Sequence, residues 1–537
     1  MSDKRNLVSE LLDRYCLITP EAHEILEDMD LDVIDFDKLA EALKNELVVT
    51  ADKLNEVLAS FEETLSEGFI EKDEPFIHHI EKEEKNTISN EEIIPILEPQ
   101  KKATINKIAE FTPLGKTVKT KLKILQESSG KTTVEGTIEN FQKYFNSRYN
   151  QLASILRKRG DISPISISEI YRHKTEPNEQ LALIAMVTEK YTLKNGGMVL
   201  EVEDPSGQLK ITISSKMQEL ITKAGKLLND QIAGFYGSKY EDVFLLKDFI
   251  FPDIPIIMNR GEPIEDPINV CMLSDLHIGS KEFLEDSFRN LINFLNGKVD
   301  DPYQQSIASQ VKYLIVNGDL VEGIGVYPKQ EDDLIITDIY DQYKYATKLI
   351  DKIPNWIHIL IVSGNHDACR MALPQPAIGK EYAPELWTMK NVTMLSNPST
   401  VELHKKVFLI YHGNSFEDVS SLTPGLSMND ANGPMIHTLR LRHLAPTFGR
   451  RTSIVPSLKD ELVIERVPHV YHTGHIHINS HTQYRGVECI NSGTFQSQTD
   501  YMLSKNIIPT PGRVPILNLQ TNKLHELVFY QKEEVKR

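Results

Sequence analysis

The stretch Val270-Cys-Met-Leu-Ser-Asp-Leu-His277 joins a short apolar run directly to a pair of charged and metal-binding side chains. Short apolar runs without polar alternation are typical of strands buried on both faces of a sheet. Four more such runs follow, with helical patterns between several of them: Tyr313–Val316, Ile357–Val362, Val407–Tyr411 and Val467–Tyr471. The sequence therefore predicts an α/β domain over 267–530, which a strand pair at Val514–Leu519 and Leu524–Phe529 closes.

A polar cluster follows each of these five strands. The candidate site residues in the clusters are, in chain order, Asp275, His277, Asp319, Glu322, Asn365, His366, His412, His475 and His477. Sites in open α/β sheets assemble at the carboxyl ends of strands. Ligand-type side chains add little to packing there, so their recurrence after five strands predicts one composite site.

The chemistry of these side chains indicates a metal centre. Carboxylate, imidazole and amide oxygen ligands suit Mn²⁺, Fe, Zn²⁺ or Mg²⁺ better than a metal that prefers thiolates. Asp275 and His277 alternate along a strand end, and Asp319 has two oxygens with which to bridge two ions. His475 and His477 can each face a different ion. Two neighbouring cations can hold a phosphate, activate water and stabilise a leaving oxygen.

As a set, D-x-H, G-D-x-x-E, G-N-H-D, a lone H-G and G-H-x-H resemble the calcineurin-like metallophosphoesterase superfamily. The resemblance covers about 267–530 and implies a four-layer α/β/β/α fold. It implies that one metal ion binds Asp275, His277, Asp319 and His477. It implies that the second binds Asp319, Asn365, His412 and His475.

The same resemblance assigns catalytic roles to two further residues. His366 would not bind metal but would stabilise the charged transition state or protonate the leaving alkoxide. Glu322 stands where the family has a group that orients this histidine. Mn²⁺ is the first expectation for the two ions, with Fe, Zn²⁺ and Mg²⁺ as alternatives.

A second pattern precedes the α/β domain. Alternating apolar residues predict strands at Leu181–Glu189, Met198–Glu203 and Leu209–Ile213, followed by a helix near 216–229 and strands at Ile232–Tyr236 and Val243–Phe249. Three strands, a helix and two strands match the element order of a five-stranded OB barrel, placed here at 181–252. Such a barrel could bind a single strand of nucleic acid or dock a protein.

The region before the barrel divides into three parts. Residues 1–66 predict a helical module, 67–103 an acidic flexible linker, and 104–180 a helical and extended segment that packs on the barrel. A long helix is expected from Ile138 to Arg159, capped by Thr137 and ended by Gly160. From about residue 104 onward we expect one rigid unit.

Composition narrows the class of protein. The 537 residues are 40% hydrophobic and 25% charged, which is ordinary for a globular protein. The four cysteines are scattered without a C-x-x-C, and no apolar run is long enough to cross a membrane. A cytoplasmic protein is therefore expected. The net charge of −18 gives no bulk sign of nucleic-acid binding.

One basic stretch stands out against this acidic background. No acidic residue lies between Asp430 and Lys459, although four arginines do: Arg440, Arg442, Arg450 and Arg451. They could contact DNA phosphates. Alternatively, they could pair with acidic residues elsewhere in the chain.

An OB barrel before a phosphoesterase domain resembles the small subunits of replicative DNA polymerases. Because every ligand position is filled, the chain is similar to the archaeal polymerase D family in particular. Further stretches resemble that family: Leu439-Arg-Leu-Arg-His-Leu-Ala-Pro446, Asn491-Ser-Gly-Thr-Phe-Gln-Ser-Gln-Thr499 and Pro509-Thr-Pro-Gly512.

This resemblance implies a metal-dependent 3′→5′ exonuclease that removes mismatched 3′ nucleotides. Its implied partners are the large catalytic polymerase subunit, DNA with 3′ ends and, through the complex, a sliding clamp, with no membrane. A stand-alone metallophosphatase or nucleotidase and a catalytically silent polymerase scaffold are the alternatives.

Overall fold

The computed structural model describes most of the chain beyond residue 110. The described ranges are 111–174, 179–241, 243–256 and 263–530, together with two short strands, β1 (Leu17–Ile18) and β2 (Val48–Val49), which pair in parallel. Apart from that pair, the predicted helical module and acidic linker lie outside the described residues. Contacts divide the chain into two compact units, Met1–Ile105 and Asn106–Arg537.

The second unit begins with one strand and three helices that precede the barrel. They are helix α1 (Leu114–Thr117), strand β3 (Leu122–Gln126), and helices α2 (Ile138–Lys158) and α3 (Ile167–Arg172). The Thr137 hydroxyl accepts a hydrogen bond from the Asn140 backbone, and the Asn140 side chain accepts one from the Thr137 backbone, which forms the cap at the predicted position.

These elements do not all pack where the sequence suggested. Leu152 and Leu156 of α2 pack in one cluster with barrel residues such as Ile184. By contrast, β3 pairs antiparallel with a strand of the α/β domain and so extends a sheet there. Short alternating sequences carry no information on which sheet they join, and this placement was not predicted.

The predicted five-stranded barrel is present. Its elements are β4 (Leu181–Thr192), β5 (Met198–Asp204), β6 (Gly207–Ile213), helix α4 (Gln218–Gly225), β7 (Ile232–Tyr240) and β8 (Val243–Ile250). The strands close in the order β4-β5-β6-β8-β7, with β6 and β8 parallel. Leu183, Leu200 and Phe235 fill the interior, which agrees with inward-facing apolar positions alternating along each strand.

Two six-stranded sheets follow. Their strands are β9 (Asn269–Leu273), β10 (Val311–Asn317), β11 (His358–Val362), β12 (Val392–Leu395), β13 (Ser399–Leu403), β14 (Lys406–Ile410), β15 (Val470–Thr473), β16 (Ser480–Tyr484), β17 (Val487–Asn491), β18 (Arg513–Asn518) and β19 (Leu524–Val528). One sheet has the order β12-β11-β10-β9-β18-β19, and the other has the order β16-β17-β15-β14-β13-β3.

Helices accompany these sheets. They are α5 (Glu285–Leu295), α6 (Pro302–Ser309), α7 (Ile339–Ile350), α8 (Pro384–Thr388), α9 (Phe416–Leu422), α10 (Asn432–Leu441) and α11 (Asp500–Ser504), with a 3₁₀ turn at Gln330–Asp333. None of the helices in the described ranges is long and apolar enough to span a bilayer.

The apolar core of this region lies in three clusters. One cluster joins the two sheets face to face, with Met272 and Ile315 from the first sheet and Phe408 and Ile490 from the second. A second cluster packs α5 and α7 on the first sheet, and a third packs α9 and α10 on the second. The carboxyl ends of the parallel strands thereby meet at one edge of the two sheets.

Candidate metal centre

The predicted ligands converge where the parallel strands end. Asp275 follows β9, Asp319 follows β10 and Asn365 follows β11, while His412 and His475 follow β14 and β15 of the other sheet. Asn317, at the end of β10, donates from its side-chain amide to the carbonyls of residues 411 and 472, each at 3.1 Å. That contact ties the ends of the two sheets together and places all five side chains around one cleft.

One cluster contains Asp275, His277 and His477, whose ligand atoms lie within 4.8 Å of one another. His277 Nε2 lies 3.1 Å from His477 Nε2, and His477 Nε2 lies 3.3 Å from Asp275 Oδ1. Two imidazole nitrogens and a carboxylate oxygen so close together form a donor set that a divalent cation can bind.

The second cluster contains Asp319, His412 and His475. His412 Nε2 lies 3.1 Å from Asp319 Oδ2 and 3.1 Å from Asn365 Oδ1. This arrangement brings together the four side chains that the sequence resemblance implies for a second ion.

Asp319 lies between the clusters. Its Oδ2 is 3.1 Å from His412 Nε2 and 3.9 Å from His277 Nε2, so one oxygen faces donors of both groups. The other oxygen, Oδ1, accepts a hydrogen bond from the His366 backbone at 2.8 Å, which fixes the orientation of the carboxylate. This geometry is what a bridging ligand requires.

The hydrogen bonding of Asp275 indicates whether a cation would fit between these side chains. Its Oδ2 accepts hydrogen bonds from the Ser274 hydroxyl and from the His475 backbone. Its Oδ1 is buried and has no hydrogen-bond partner, yet it lies 3.3 Å from His477 Nε2 and 3.9 Å from both His277 Nε2 and His412 Nε2. A buried carboxylate oxygen left unpaired is costly, and a bound cation would satisfy it.

Five of the predicted ligands have left-handed backbone conformations. The φ angles are +54° at Asp275, +52° at His277, +51° at Asp319, +69° at His475 and +64° at His477. Such conformations are disfavoured for residues with a Cβ and cluster at functional sites. The sharp bends after β9, β10 and β15 turn these side chains inward.

The surrounding carboxylates raise the pKa values of two of these histidines, whereas burial lowers the pKa values of His475 and His477. Burial disfavours a charged His277, but Glu322, Asp319 and Asp275 outweigh it and raise the pKa of His277 to about 9. Burial likewise opposes the charged form of His412, and Asp319 and Asp275 raise its pKa to about 10. Without a cation, protons on these rings thus neutralise carboxylates that the cation would otherwise neutralise.

His366 lies beside the first cluster, and a ring nitrogen of His366 lies within 4.8 Å of ligand atoms of His277 and Asp319. Its Nδ1 donates to the Glu322 backbone carbonyl at 2.7 Å, which leaves Nε2 available at the cleft. The ring packs edge-on against His277, with centroids 4.7 Å apart, and 16% of the side chain is exposed. An accessible imidazole held in one orientation suits proton transfer to a bound phosphodiester.

Glu322 contacts His277 as well as His366, the histidine that it was predicted to orient. Its carboxylate Oε2 accepts a hydrogen bond from His277 Nδ1 at 2.8 Å, whereas Oε1 is 3.7 Å from His366 Nδ1. Glu322 therefore orients a predicted metal ligand through its side chain and His366 only through its backbone carbonyl. The spacing in G-D-x-x-E could not distinguish these two geometries.

Several supporting residues were not predicted. Asn317 accepts a hydrogen bond from His412 Nδ1 through its backbone carbonyl at 2.8 Å. Gln496 donates to Glu322 Oε2 at 3.0 Å. Asp367, directly behind the cleft, accepts from the Tyr343 hydroxyl at 3.0 Å, and its burial and the neighbouring Asp319 charge raise its pKa to about 7. Asp367 belongs to the G-N-H-D motif and Gln496 to the stretch Asn491–Thr499, but neither was assigned a role in the sequence analysis.

The four arginines divide into two kinds. Arg442 is only 3% exposed and donates to the backbone carbonyls of residues 253, 464 and 465, so its prediction as a DNA contact is wrong. Arg440 lies over the Phe251 ring, at 5.0 Å, and Arg451 pairs with Glu417. Arg450 is exposed. For these three arginines a role in binding DNA stays a prediction.

Comparisons with known proteins assign this sequence to a family. A family model for the B subunits of DNA polymerases alpha and epsilon matches residues 270–482. The chain is 36% identical over 491 residues to a DNA polymerase II small subunit of Methanothermobacter thermautotrophicus. This alignment covers 88% of this chain and 100% of that protein. A protein of the same name from Archaeoglobus fulgidus is 39% identical over 395 residues, covering 74% of this chain and 78% of its own length.

Among solved structures, a novel archaeal phosphodiesterase aligns with 49% of this chain and 99% of its own, at 15% identity and a TM-score of 0.25. Vps29 of Entamoeba histolytica complexed with Zn²⁺ aligns with 49% of this chain and 100% of its own, at 11% identity and a TM-score of 0.24. The assignment depends on the sequence relatives, one of which is matched over its entire length. The chain belongs to the family of archaeal DNA polymerase II small subunits, also called polymerase D small subunits.

Proposed function

We propose that this small subunit is a metal-dependent 3′→5′ exodeoxyribonuclease that removes mismatched nucleotides for the polymerase. The observation that carries the proposal is the buried Oδ1 of Asp275, which accepts no hydrogen bond although three imidazole nitrogens lie within 3.9 Å, together with Asp319 facing donors of both clusters. A scaffold without catalytic activity has no need of such a costly arrangement of charges.

Two divalent cations are the proposed cofactors, with Mn²⁺ expected first and Fe, Zn²⁺ or Mg²⁺ as alternatives. Asp275, His277, Asp319 and His477 would hold one ion. Asp319, Asn365, His412 and His475 would hold the other. When bound, such a pair can position a phosphate, lower the pKa of water and stabilise a leaving oxygen.

The protein's own residues orient the metal ligands and donate a proton to the leaving group. Glu322 fixes the His277 ring so that Nε2 faces the cleft. The Glu322 carbonyl and the His277 ring hold His366 from two sides, and its exposed Nε2 can protonate the departing 3′ oxygen of the shortened strand.

The remaining partners follow from the family and from the fold. The names of the relatives imply a large catalytic subunit, which we propose binds the unit from about residue 104 onward. Within that unit we assign 181–252 to an OB domain and 267–530 to a four-layer α/β/β/α phosphoesterase domain. DNA with a 3′ end is the proposed substrate, and a frayed mismatch enters more readily than a paired end because it has already lost its pairing.

A digestion assay on a 5′-labelled primer with a mismatched 3′ end, with and without Mn²⁺, tests the proposal. We expect Mn²⁺-dependent shortening from the 3′ end, and its loss in Asp319→Asn, which keeps the shape of the side chain but not its charge. Hydrolysis of a small phosphomonoester without digestion of DNA would favour the phosphatase alternative. Neither activity at saturating metal would favour the silent scaffold.

A further inference from the structure

We propose that Gln375 and Asn397 are positioning residues of the second cluster, which hold Asn365 and His412 at the spacing that one cation requires. Each of the two acts through the backbone beside a predicted ligand. The inference rests on the proposed metal-dependent function and identifies what sets the geometry of one of its two cation sites.

The two ligands come from different sheets. Asn365 follows β11 of one sheet, and His412 follows β14 of the other. Asn365 Oδ1 nevertheless lies 3.1 Å from His412 Nε2. A metal ion requires donor atoms placed to within about 0.2 Å, and the neutral oxygen of Asn365 attracts a cation less strongly than a carboxylate does. Contacts between the two loops must therefore set this spacing.

Gln375, in the loop after β11, and Asn397, between β12 and β13, connect the two loops. The Gln375 backbone N–H donates to the Asn397 carbonyl at 2.8 Å, and the Asn397 backbone N–H donates to the Gln375 carbonyl at 2.9 Å. The side chains join as well, since the Asn397 amide donates to Gln375 Oε1 at 2.8 Å. Backbone and side-chain hydrogen bonds thus make one unit of these two residues.

Each end of this unit reaches the backbone beside a ligand. Gln375 Nε2 donates at 3.1 Å to the carbonyl of Gly364, which directly precedes Asn365. At the other end, Asn397 Oδ1 accepts from the His412 backbone N–H at 2.9 Å. The path from one ligand loop to the other therefore runs through two side-chain amides.

Both amides are buried and hydrogen-bonded at each end. Gln375 and Asn397 are 0% exposed. Gln375 Nε2 also donates to the Arg370 carbonyl at 3.1 Å. The Asn414 amide donates to Gln375 Oε1 at 3.3 Å, and Asn414 Oδ1 accepts from Asn397 at 2.8 Å. A buried polar network whose members are all satisfied is rigid, as a link that fixes the distance between two ligands has to be.

A purely structural role of the network predicts a different outcome. Loss of contacts that only support the fold would weaken both cation sites equally or neither. The first cluster has its own support, because Glu322 holds the His277 ring. A positioning role of Gln375 and Asn397 therefore predicts a loss of affinity at the second cluster alone.

Gln375→Met in the full-length chain tests the inference, since methionine fills a similar volume without an amide. It is combined in turn with His477→Ala, which removes a ligand of the first cluster, and with His475→Ala, which removes a ligand of the second. Isothermal titration with Mn²⁺ then measures the tighter binding event in each background. Gln231→Met is the matched control, because Gln231 is 3% exposed and lies beside β7 of the barrel.

In the His477→Ala background we expect Gln375→Met to raise the dissociation constant for Mn²⁺ by about 10- to 100-fold, as the loss of partners of metal ligands does. In the His475→Ala background it should leave the constant unchanged, and Gln231→Met should change neither. An equal loss in both backgrounds would overturn the inference, as would unchanged affinity with His477→Ala.

Asn414→Ala provides a milder second variant if Gln375→Met does not fold, as judged by circular dichroism. Asn414 is only half-buried, and its loss should weaken the same site by about 2- to 10-fold, the effect of one neutral hydrogen bond. Unchanged affinity of that site would again overturn the inference. A wild-type chain that binds no Mn²⁺ would instead refute the proposed metal-dependent function.

Discussion

Replacing Glu322 by glutamine isolates the support that one charged group gives to the metal centre. In the native chain the buried Glu322 Oε2 accepts from His277 Nδ1 at 2.8 Å. Glutamine retains an oxygen that can accept this hydrogen bond but carries no charge. It also places an amide NH₂ where the native carboxylate accepts hydrogen bonds from Gln330 or Gln496.

The expected loss follows from the two kinds of hydrogen bond. A bond to a charged group contributes about 1.5–3 kcal/mol and a neutral bond about 0.5–1.5 kcal/mol. The difference of about 1–2 kcal/mol corresponds to a dissociation constant for the metal that is about 5- to 30-fold larger. This estimate overlaps the lower part of the range of about 10- to 100-fold found when partners of metal ligands are removed.

Isothermal titration of the metal-free protein with Mn²⁺ measures this change. Glu331→Gln is the matched control, because Glu331 is exposed on the same loop and its substitution should leave Mn²⁺ affinity unaltered. If Glu322→Gln binds Mn²⁺ within twofold of wild type, the Glu322 carboxylate does not support His277 as a metal ligand.

Three further outcomes are expected. Arg148→Ala should lower the free energy of unfolding by about 3–5 kcal/mol in chemical denaturation, because it leaves the buried Asp460 carboxylate without the guanidinium at 2.8 Å; a loss below about 1 kcal/mol would contradict this. Binding of Mn²⁺ at pH 7 should release about two protons per chain, because the pKa values of His277 and His412, about 9 and about 10, keep both rings protonated without metal; titration in buffers of different ionisation enthalpy measures the number, and no release would refute it. Arg442→Ala should lower thermal stability and leave the salt dependence of DNA binding unchanged, whereas a flatter salt dependence would restore it as a phosphate contact.

The fold was predictable where the hydrophobic pattern is local. Strands such as β9 and β10 are mainly apolar and are buried at every position. The alternation in β5 and β6, followed by a helix and two further strands, predicted the barrel. The sheet that β3 joins was not predictable, because the pairing partner of an edge strand depends on contacts with residues more than 270 positions away. Contacts of that range leave no periodic signal in the sequence.

The site was predictable to the level of which side chains meet. Ligand-type residues after successive strands indicated one centre, and the structure brings them together. Glu322 accepts from His277 through its side chain and from His366 through its backbone carbonyl, and this division depends on the bend of the loop after β10, which the motif spacing does not determine. Arg442 was wrongly predicted to contact DNA, because the sequence does not distinguish an exposed arginine from one that donates to buried carbonyls.

The proposed chemistry depends above all on two cations with Asp319 between them. Diffraction from crystals soaked in Mn²⁺, recorded at the manganese absorption edge, locates such ions directly. We expect two anomalous peaks per chain, one beside Asp275, His277 and His477 and the other beside Asn365, His412 and His475, with Asp319 contacting both. A single peak, or two peaks of which Asp319 contacts only one, would contradict the two-cation site.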